Sequence, residues 1–412
     1  MYITFKDDIK IKVLLMLVLL CDAKMFILAG TRFFDGFLSY YLVRFLTLFG
    51  SLIFFDRIQT IFKEYKFYGS FFLYIVITQI ILTIYSVYTY KQKFSNVFAY
   101  SGLYLTLLLV ALLIIGFEIL GFDRTLKILF GLEIIRDVII VLDATIYNIV
   151  GVKVIQFSEL TSKTQFIRIE FGALFPLLVI YLFYNLLVEL DKKKLVIILL
   201  CMLAEYYVQN TRAIEIGLVI AFIVMWVSHS GDKITKYLKI VMILCGLGGL
   251  LYLGVVEMVL NSFSADPSIN EHYASTLARI GAINYYSSYL FRHPLFGMGW
   301  IMRNTDYLKY IASGPLGIYH YDDLGILGQV FRQGLLGLII YLIFLGRLIY
   351  ISMNLKNMRG KVFVIGITSY VISTVFSLNA FDVQRVLVAS FYIAISEYIW
   401  KKSKEGINEK EI

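Results

Sequence analysis

The residues best suited to chemistry lie in one polar segment, 261–323, which interrupts the otherwise apolar second half of the chain. His320 is the strongest candidate, because an imidazole exchanges protons near neutral pH and either Asp322 or Asp323 could orient it. We therefore expect His320 to act as a catalytic base, with Tyr319 and Asp322 binding substrate. An ordinary loop histidine bonded to its neighbours is the alternative. Asp323 is expected to cap the helix that follows, where a carboxylate is favoured.

Four arginines are candidates for binding a negatively charged substrate on the same side as His320. Arg212 lies in the short turn QNTRAIEIG, and Glu205 precedes it by about two helical turns. A guanidinium there could grip a phosphate through two parallel hydrogen bonds. We expect a diphosphate site in which Arg212 and Arg279 are catalytic. Arg292, Arg303 and Glu205 are expected to bind substrate. Arginines that reach the lipid headgroups or lie on a solvated helix face are the alternative.

The sequence carries no motif for a metal, a nucleotide or another cofactor. The histidines and acidic residues lack the HxxxH and HExxH spacings, and there is no Gly-rich phosphate loop. We therefore expect the protein to use none of these. Ionisable residues inside apolar stretches serve either function or structural ion pairing, and the sequence favours neither account. These residues are Arg44, Glu118, Arg136, Asp137, Asp143, Arg332 and, at the end of a stretch, Glu189.

The composition predicts an all-α polytopic membrane protein. The chain has 412 residues, of which 59% are hydrophobic and 16% charged, and its mean hydropathy is +0.79. Apolar stretches of about 20 residues, enough to cross a bilayer, recur along it. We expect a single integral membrane domain, 1–412, with 261–323 as a large extracytoplasmic loop. Twelve spans are predicted, near 12–30, 37–55, 68–88, 99–121, 128–149, 171–189, 194–209, 213–228, 237–259, 324–350, 361–379 and 386–400.

The charge pattern predicts an orientation in the membrane. Lysines and arginines recur at the N-terminus, in every second loop and at the C-terminus. The positive-inside rule then puts both termini in the cytoplasm and the large loop on the opposite side. The exceptions are Lys91, Lys93, Lys153 and Lys163. A nucleic-acid function is disfavoured, because no basic patch lies on a soluble module. The cysteines, all within apolar stretches, are expected to be packing residues: Cys21, Cys201 and Cys245.

Within the loop, the sequence predicts two helices separated by a turn. Residues 274–291 are expected to form an amphipathic helix. Its predicted apolar face consists of Leu277, Ile280, Ile283 and Leu290. The helix should end at HPLFGMG (293–299), because proline and two glycines favour a turn. A second short helix is predicted near 301–312, followed by a turn at GPLG.

The loop and the stretch after it resemble the O-antigen polymerase and O-antigen ligase superfamily. The similarity lies in ARIGAINYYSSYLFRHPLFGMGW, a histidine about twenty residues later, and GILGQVFRQGLLGLIIYLIFL. The residues that match the superfamily pattern are Arg212, Arg279, 293–299, His320, Gly334 and Gly337. The chain departs from the ligase pattern in having Tyr-Asp-Asp after His320, where an asparagine and a second histidine are common.

The resemblance implies a bacterial glycosyltransferase of the GT-C type in the cytoplasmic (inner) membrane. Such an enzyme moves a glycan from an undecaprenyl-diphosphate carrier to an acceptor hydroxyl on the outer face, without metal or nucleotide. The leading interpretation is a polymerase that joins lipid-linked repeat units into O-antigen or capsule. A ligase that transfers finished glycan to lipid A-core, and a flippase for lipid-linked oligosaccharides, are the alternatives. Expected partners are the lipid-linked oligosaccharide, membrane lipid and a chain-length regulator protein.

Overall fold

The computed structural model is built almost entirely of helices. It describes residues 5–22, 36–151, 161–162, 167–168, 171–189, 192–209, 211–229, 235, 239–242, 273–356, 358–382 and 385–406. The helices of the first half are α1 Phe5–Asp22, α2 Gly36–Ile53, α3 Phe55–Glu64, α4 Lys66–Tyr90, α5 Phe94–Ser101, α6 Leu109–Leu120 and α7 Phe122–Val150. A 3₁₀ turn, Gly102–Leu108, joins α5 to α6.

The second half continues this pattern after one short antiparallel strand pair, β1 Thr161–Ser162 and β2 Ile167–Arg168. Its helices are α8 Phe175–Glu189, α9 Lys192–Ala204, α10 Arg212–Ser228, α11 Tyr273–Arg292, α12 Asp306–Ser313, α13 Gly325–Asn354, α14 Met358–Ser373 and α15 Val386–Lys404. A π turn, Glu205–Gln209, ends α9, and a 3₁₀ turn, Tyr321–Leu324, leads into α13.

Within the described residues, three helical segments are long and apolar enough to cross a membrane: Lys66–Tyr90, Phe94–Leu120 and Tyr321–Asn354. A fourth is present if Tyr40–Ile53 and Phe55–Glu64, which meet at 90°, form one bent span. These segments are those expected of a membrane protein. Each of the twelve predicted spans overlaps a helix in its described part, except 237–259, which lies outside the described residues apart from 239–242. Residues 23–30 of the first predicted span also lie outside the described residues. Twelve crossings therefore remain a prediction.

Helix α6 forms the centre of the helical bundle. Its residues from Leu109 to Phe117 are buried on every side. A helix that is apolar all round fits such a position, because none of its faces needs water. Helices α1, α7 and α15 pack against it. On another side of the bundle, α10 packs on α14, and α14 packs on α13.

The predicted loop helix 274–291 is confirmed as α11, but its predicted apolar face is buried only in part. Ile283 and Leu290 are half-buried against the core that contains Ala282 and Tyr286. Leu277 is 55% exposed and Ile280 is 45% exposed. The Tyr286 ring packs near Phe331 of α13, and this long-range contact decides which face points inward. The second predicted helix is confirmed as α12, and the turn at HPLFGMG is also present.

Helix α13 is broken at Gly334, and the HPLFGMG turn fills the break. Gly334 has φ 60° and ψ −149°, which no α-helix contains. The carbonyls of Phe331 and Arg332, on the N-terminal side of the break, accept hydrogen bonds from the turn. The donors are the amides of Met298, at 2.9 Å, and Gly299, at 2.8 Å.

Two further hydrogen bonds run in the opposite direction across the break. The amide of Leu335 donates to the carbonyl of Pro294 at 2.9 Å, and the amide of Leu336 donates to that of Leu295 at 3.4 Å. We refer to these four backbone hydrogen bonds as the turn–helix junction. A broken helix of membrane-spanning length must satisfy its freed backbone groups within the protein, and the junction does this.

Two glycines allow the turn and the helix to approach so closely. A Cβ atom on Gly334 would lie 2.5 Å from the carbonyl group of Leu295. A Cβ atom on Gly297, which has φ 58°, would lie 2.5 Å from the carbonyl oxygen of Phe331. Because both obstacles are backbone atoms, neither can swing away. The junction therefore requires glycine on both of its sides.

Candidate functional site

The junction lies beside a buried arginine, Arg332, whose side chain is 2% exposed. Its guanidinium carbon lies 4.7 Å from the ring centre of Trp300 and 5.3 Å from that of Tyr321. Nη1 donates to Oδ1 of Asp322 at 3.3 Å, and Nη2 donates to Oε1 of Gln329 at 2.9 Å. A buried charge requires such compensation, since desolvation is otherwise costly.

A series of buried, hydrogen-bonded polar side chains supports Trp300 and Gln329, which both contact Arg332. The Trp300 indole N–H donates to Gln79 at 2.9 Å, and the Gln79 amide donates to Gln333 at 3.3 Å. The amides of Gln333 and Gln329 both donate to the hydroxyl of Tyr104, at 2.9 and 3.1 Å. Connected buried hydrogen bonds of this kind restrict side-chain movement. The network therefore links α4, the 3₁₀ turn after α5, and α13 around Arg332.

A second ion pair lies close to the first. Asp382, in the connection between α14 and α15, is buried and pairs with Arg385. Burial raises the pKa of the Asp382 carboxyl above its ordinary value; the Arg385 guanidinium opposes the rise, and the Asp322 carboxylate adds to it. Four charged groups thus interact near the N-terminal end of α13, which we call the mouth of α13: Asp322, Arg332, Asp382 and Arg385.

His320 and Arg303 lie at the exposed side of this mouth. Nη2 of Arg303 is 3.5 Å from Nδ1 of His320. A guanidinium only donates, so Nδ1 is the acceptor and the neutral imidazole carries its proton on Nε2. Of the two carboxylates that could orient the imidazole, Asp322 turns to Arg332 instead.

The segment that contains Tyr319 is held against α11 by hydrogen bonds from Tyr286. The buried hydroxyl of Tyr286 donates to the Tyr319 carbonyl at 3.0 Å and to the Ala312 carbonyl at 2.7 Å. Burial raises the pKa of Tyr286; neighbouring Tyr321 raises it further, and Arg303 lowers it. Four predicted site residues therefore meet in one region: Arg303, Tyr319, His320 and Asp322.

The expected capping role of Asp323 was wrong. The residue before α13 is Leu324, which provides no side-chain cap, and Asp323 is exposed. Gly325, with φ 55°, turns the chain directly from the 3₁₀ turn into the helix. The amide of Ile326 then donates to the carbonyl of Val375 at 2.8 Å. A long-range backbone acceptor thus replaces the local carboxylate.

The other predicted site residues lie on α10, on α11 and in the π turn after α9. Arg212 is the first residue of α10, and the buried Glu205 opens the π turn before it and accepts a hydrogen bond from the Thr211 amide at 3.3 Å. Arg279 is exposed on α11. Arg292 is exposed in the last turn of α11, where a cation also complements the helix dipole.

Sequence reasoning recognised Arg332 only as a charge inside an apolar stretch and left it out of the site. The signal that would have identified it is the polar face of GQVFRQG, where Gln329 lies one turn before Arg332 and Gln333 lies beside it. Ion pairing also accounts for Arg136, which contacts Glu133 at 3.0 Å. Both arginines therefore form ion pairs, as one of the two accounts expected.

No protein-family model matches this chain, and no curated protein matches its sequence. The fold by itself defines a largely helical protein with helices of membrane-spanning length. Its distinctive feature is a cluster of charged and aromatic side chains at the mouth of a broken helix.

Proposed function

We propose that the protein is a polysaccharide polymerase that joins undecaprenyl-diphosphate-linked oligosaccharide repeat units. The observation that supports this proposal is the meeting of Arg303, His320 and Asp322 with the buried Arg332 at the mouth of one apolar helix. Cations for a diphosphate and proton acceptors for a hydroxyl are the two requirements of glycosyl transfer from a lipid diphosphate.

The proposed reaction is one displacement at the anomeric carbon of the donor sugar. The acceptor hydroxyl attacks that carbon, and the bond to the diphosphate breaks with its electron pair leaving on the diphosphate. Arg303, together with Arg279 and Arg212, would stabilise the leaving charge in the role that a metal ion plays elsewhere. His320 and Asp322 are the two groups at the mouth that can receive the acceptor proton.

The remaining features of the proposal come from the sequence pattern and from the resemblance described above. We propose a GT-C-like bundle with twelve crossings in a bacterial cytoplasmic membrane, both termini in the cytoplasm and the charged mouth on the outer face. Its partners would be the lipid-linked oligosaccharide, surrounding lipid and a chain-length regulator. In this arrangement Arg292, Tyr319 and Glu205 would contact the substrate glycan or its carrier.

Surface glycan from a deletion strain tests the function. Complementation with wild type should restore a ladder of repeat lengths, whereas His320→Ala, Arg279→Ala and Arg212→Ala should each leave single repeat units. Polymer that accumulates on the lipid carrier would instead indicate a ligase. Repeat units retained on the cytoplasmic side would indicate a flippase.

Lys309→Ala is the matched control for these variants. Lys309 is a cation on the same loop, its side chain is 60% exposed, and its ion pair is with the exposed Asp306. Removing its charge should leave the ladder unchanged, provided that all variants reach the membrane in equal amounts. Normal ladders from all three site variants would refute the proposed site.

A further inference from the structure

We infer that Arg332 is the positioning residue for Asp322, and that the Asp322 carboxylate, not the His320 imidazole, accepts the proton of the acceptor hydroxyl. This inference rests on the proposed function and assigns roles within its site. It follows from three features: the hydrogen bond made by His320, the open side of Asp322 and the immobilisation of Arg332.

The hydrogen bond to His320 leaves its imidazole poorly arranged to act as a base. Arg303 donates toward Nδ1 at 3.5 Å, so the proton of the neutral ring lies on Nε2. While Arg303 stays in place, this hydrogen bond occupies the lone pair of Nδ1. The remaining Nε2–H is suited to donate to substrate.

Asp322 has the opposite arrangement. One oxygen, Oδ1, accepts from Arg332 at 3.3 Å, and the side chain as a whole is 45% exposed. The carboxylate is therefore held at one end and open to solvent at the other. An ionised carboxylate accepts hydrogen bonds through both oxygens, so the open oxygen is available to a substrate hydroxyl.

Arg332 holds Asp322 firmly because Arg332 is itself fixed at both ends. Its carbonyl accepts from Gly299 across the turn–helix junction at 2.8 Å. Its guanidinium lies between Trp300 and Tyr321 and donates to Gln329. A guanidinium surrounded in this way has few alternative positions, and preorganisation of this kind raises the rate of a reaction that needs exact placement.

In the transfer step the acceptor hydroxyl loses its proton to the open oxygen of Asp322. The acceptor oxygen bonds to the anomeric carbon as that carbon's bond to the diphosphate breaks, and the electron pair leaves on the diphosphate. Asp322 becomes the neutral acid and later releases the proton to water. Among the described residues, the charged and titratable groups that interact with Asp322 are Arg332, Asp382, Tyr286, Tyr321 and Tyr100. Arg385 pairs with Asp382, and Arg303 contacts His320.

The first test compares Asp322→Asn with His320→Gln in membranes supplied with lipid-linked repeat units. Asp322→Asn should lower kcat by about 10²- to 10⁴-fold, the range for loss of a general base, and should abolish the decline of rate toward acid pH. His320→Gln should lower the rate by a smaller factor and keep that decline. Loss of the acid decline in His320→Gln alone would overturn the inference.

The second test asks whether Arg332 acts through Asp322. Arg332→Gln should lower kcat by about 100-fold, the effect of a small misplacement, with little change in KM. In the Asp322→Asn background the same substitution should lower kcat no further, because the group that it positions is already gone. Arg332→Lys, which keeps the charge, should restore part of the rate. Additive losses would refute the positioning role, and thermal unfolding of each variant would identify a merely structural effect.

These outcomes separate the inference from the proposed function. Full polymerisation by Asp322→Asn would overturn the inference and leave a polymerase in place. A deletion strain with a normal glycan ladder would overturn both.

Discussion

Replacing Gly334 by alanine tests the turn–helix junction most directly. The new Cβ atom would stand 2.5 Å from the backbone of Leu295 and 2.6 Å from the amide nitrogen of Gly297. The backbone conformation of Gly334, with φ 60° and ψ −149°, by itself costs an L-residue roughly 1–3 kcal/mol. The turn must also move away, which breaks up to four backbone hydrogen bonds worth about 0.5–1.5 kcal/mol each.

We therefore expect Gly334→Ala to lower the free energy of unfolding by about 3 kcal/mol or more. The measurement is thermal and denaturant unfolding of the protein purified in detergent, with limited proteolysis of the HPLFGMG turn as a local readout. Gly297→Ala should show the same loss, because its Cβ atom would meet Phe331 from the other side.

Gly346→Ala is the matched control, since Gly346 lies in the same helix and a Cβ atom there meets nothing within 4 Å. This substitution should be neutral or stabilise the helix by about 0.5–1 kcal/mol. If Gly334→Ala and Gly346→Ala unfold alike and the turn stays protected, the junction does not hold the loop on α13. The argument that glycine is required there would then be refuted.

Three further substitutions test the ion pair and the hydrogen bonds that stabilise the candidate site. Asp322→Ala should destabilise the protein by about 2 kcal/mol or more, because it leaves a buried guanidinium without its carboxylate, whereas the exposed Asp323→Ala should change stability by less than about 0.5 kcal/mol. Trp300→Phe removes the donor to Gln79 and should cost about 1–3 kcal/mol in thermal unfolding. Tyr286→Phe leaves two carbonyls without a buried donor and should make the loop more sensitive to protease.

Specific results would contradict these expectations. Equal stability of Asp322→Ala and Asp323→Ala would mean that the ion pair does not compensate the buried charge. Wild-type unfolding of Trp300→Phe would show that the network behind Arg332 is dispensable. Unchanged proteolysis of Tyr286→Phe would mean that its hydroxyl does not hold α11 to the segment after α12.

The helices could be predicted because their causes are local. An apolar stretch such as 68–88 forms a helix whatever surrounds it, since in a membrane its backbone groups must pair within the segment. The turn at 293–299 was equally predictable, because proline and glycine restrict the chain where they stand. Among the site residues, Arg303, Tyr319, His320 and Asp322 lie close together along the sequence, which made their meeting foreseeable.

The parts that failed depend on distant partners. The buried face of α11 was decided by Tyr286 packing on α13, and aliphatic periodicity contains no information about that neighbour. The capping prediction for Asp323 failed because Ile326 finds the carbonyl of Val375, about fifty residues away. The role of Asp322 was likewise set by Arg332, ten positions along the chain but brought near by the 3₁₀ turn.

The sequence by itself determined the helical class, the helices of membrane-spanning length and the polar segment that contains the candidate site, because composition and period act within a few residues. Only the tertiary structure decided that α13 is broken, that Gly297 and Gly334 pack backbone to backbone, and that Arg332 belongs to the site. The physical reason is that hydrogen bonds across a junction and the compensation of a buried charge are properties of groups in contact. Tertiary packing decides which groups come into contact, and a local sequence pattern does not contain that information.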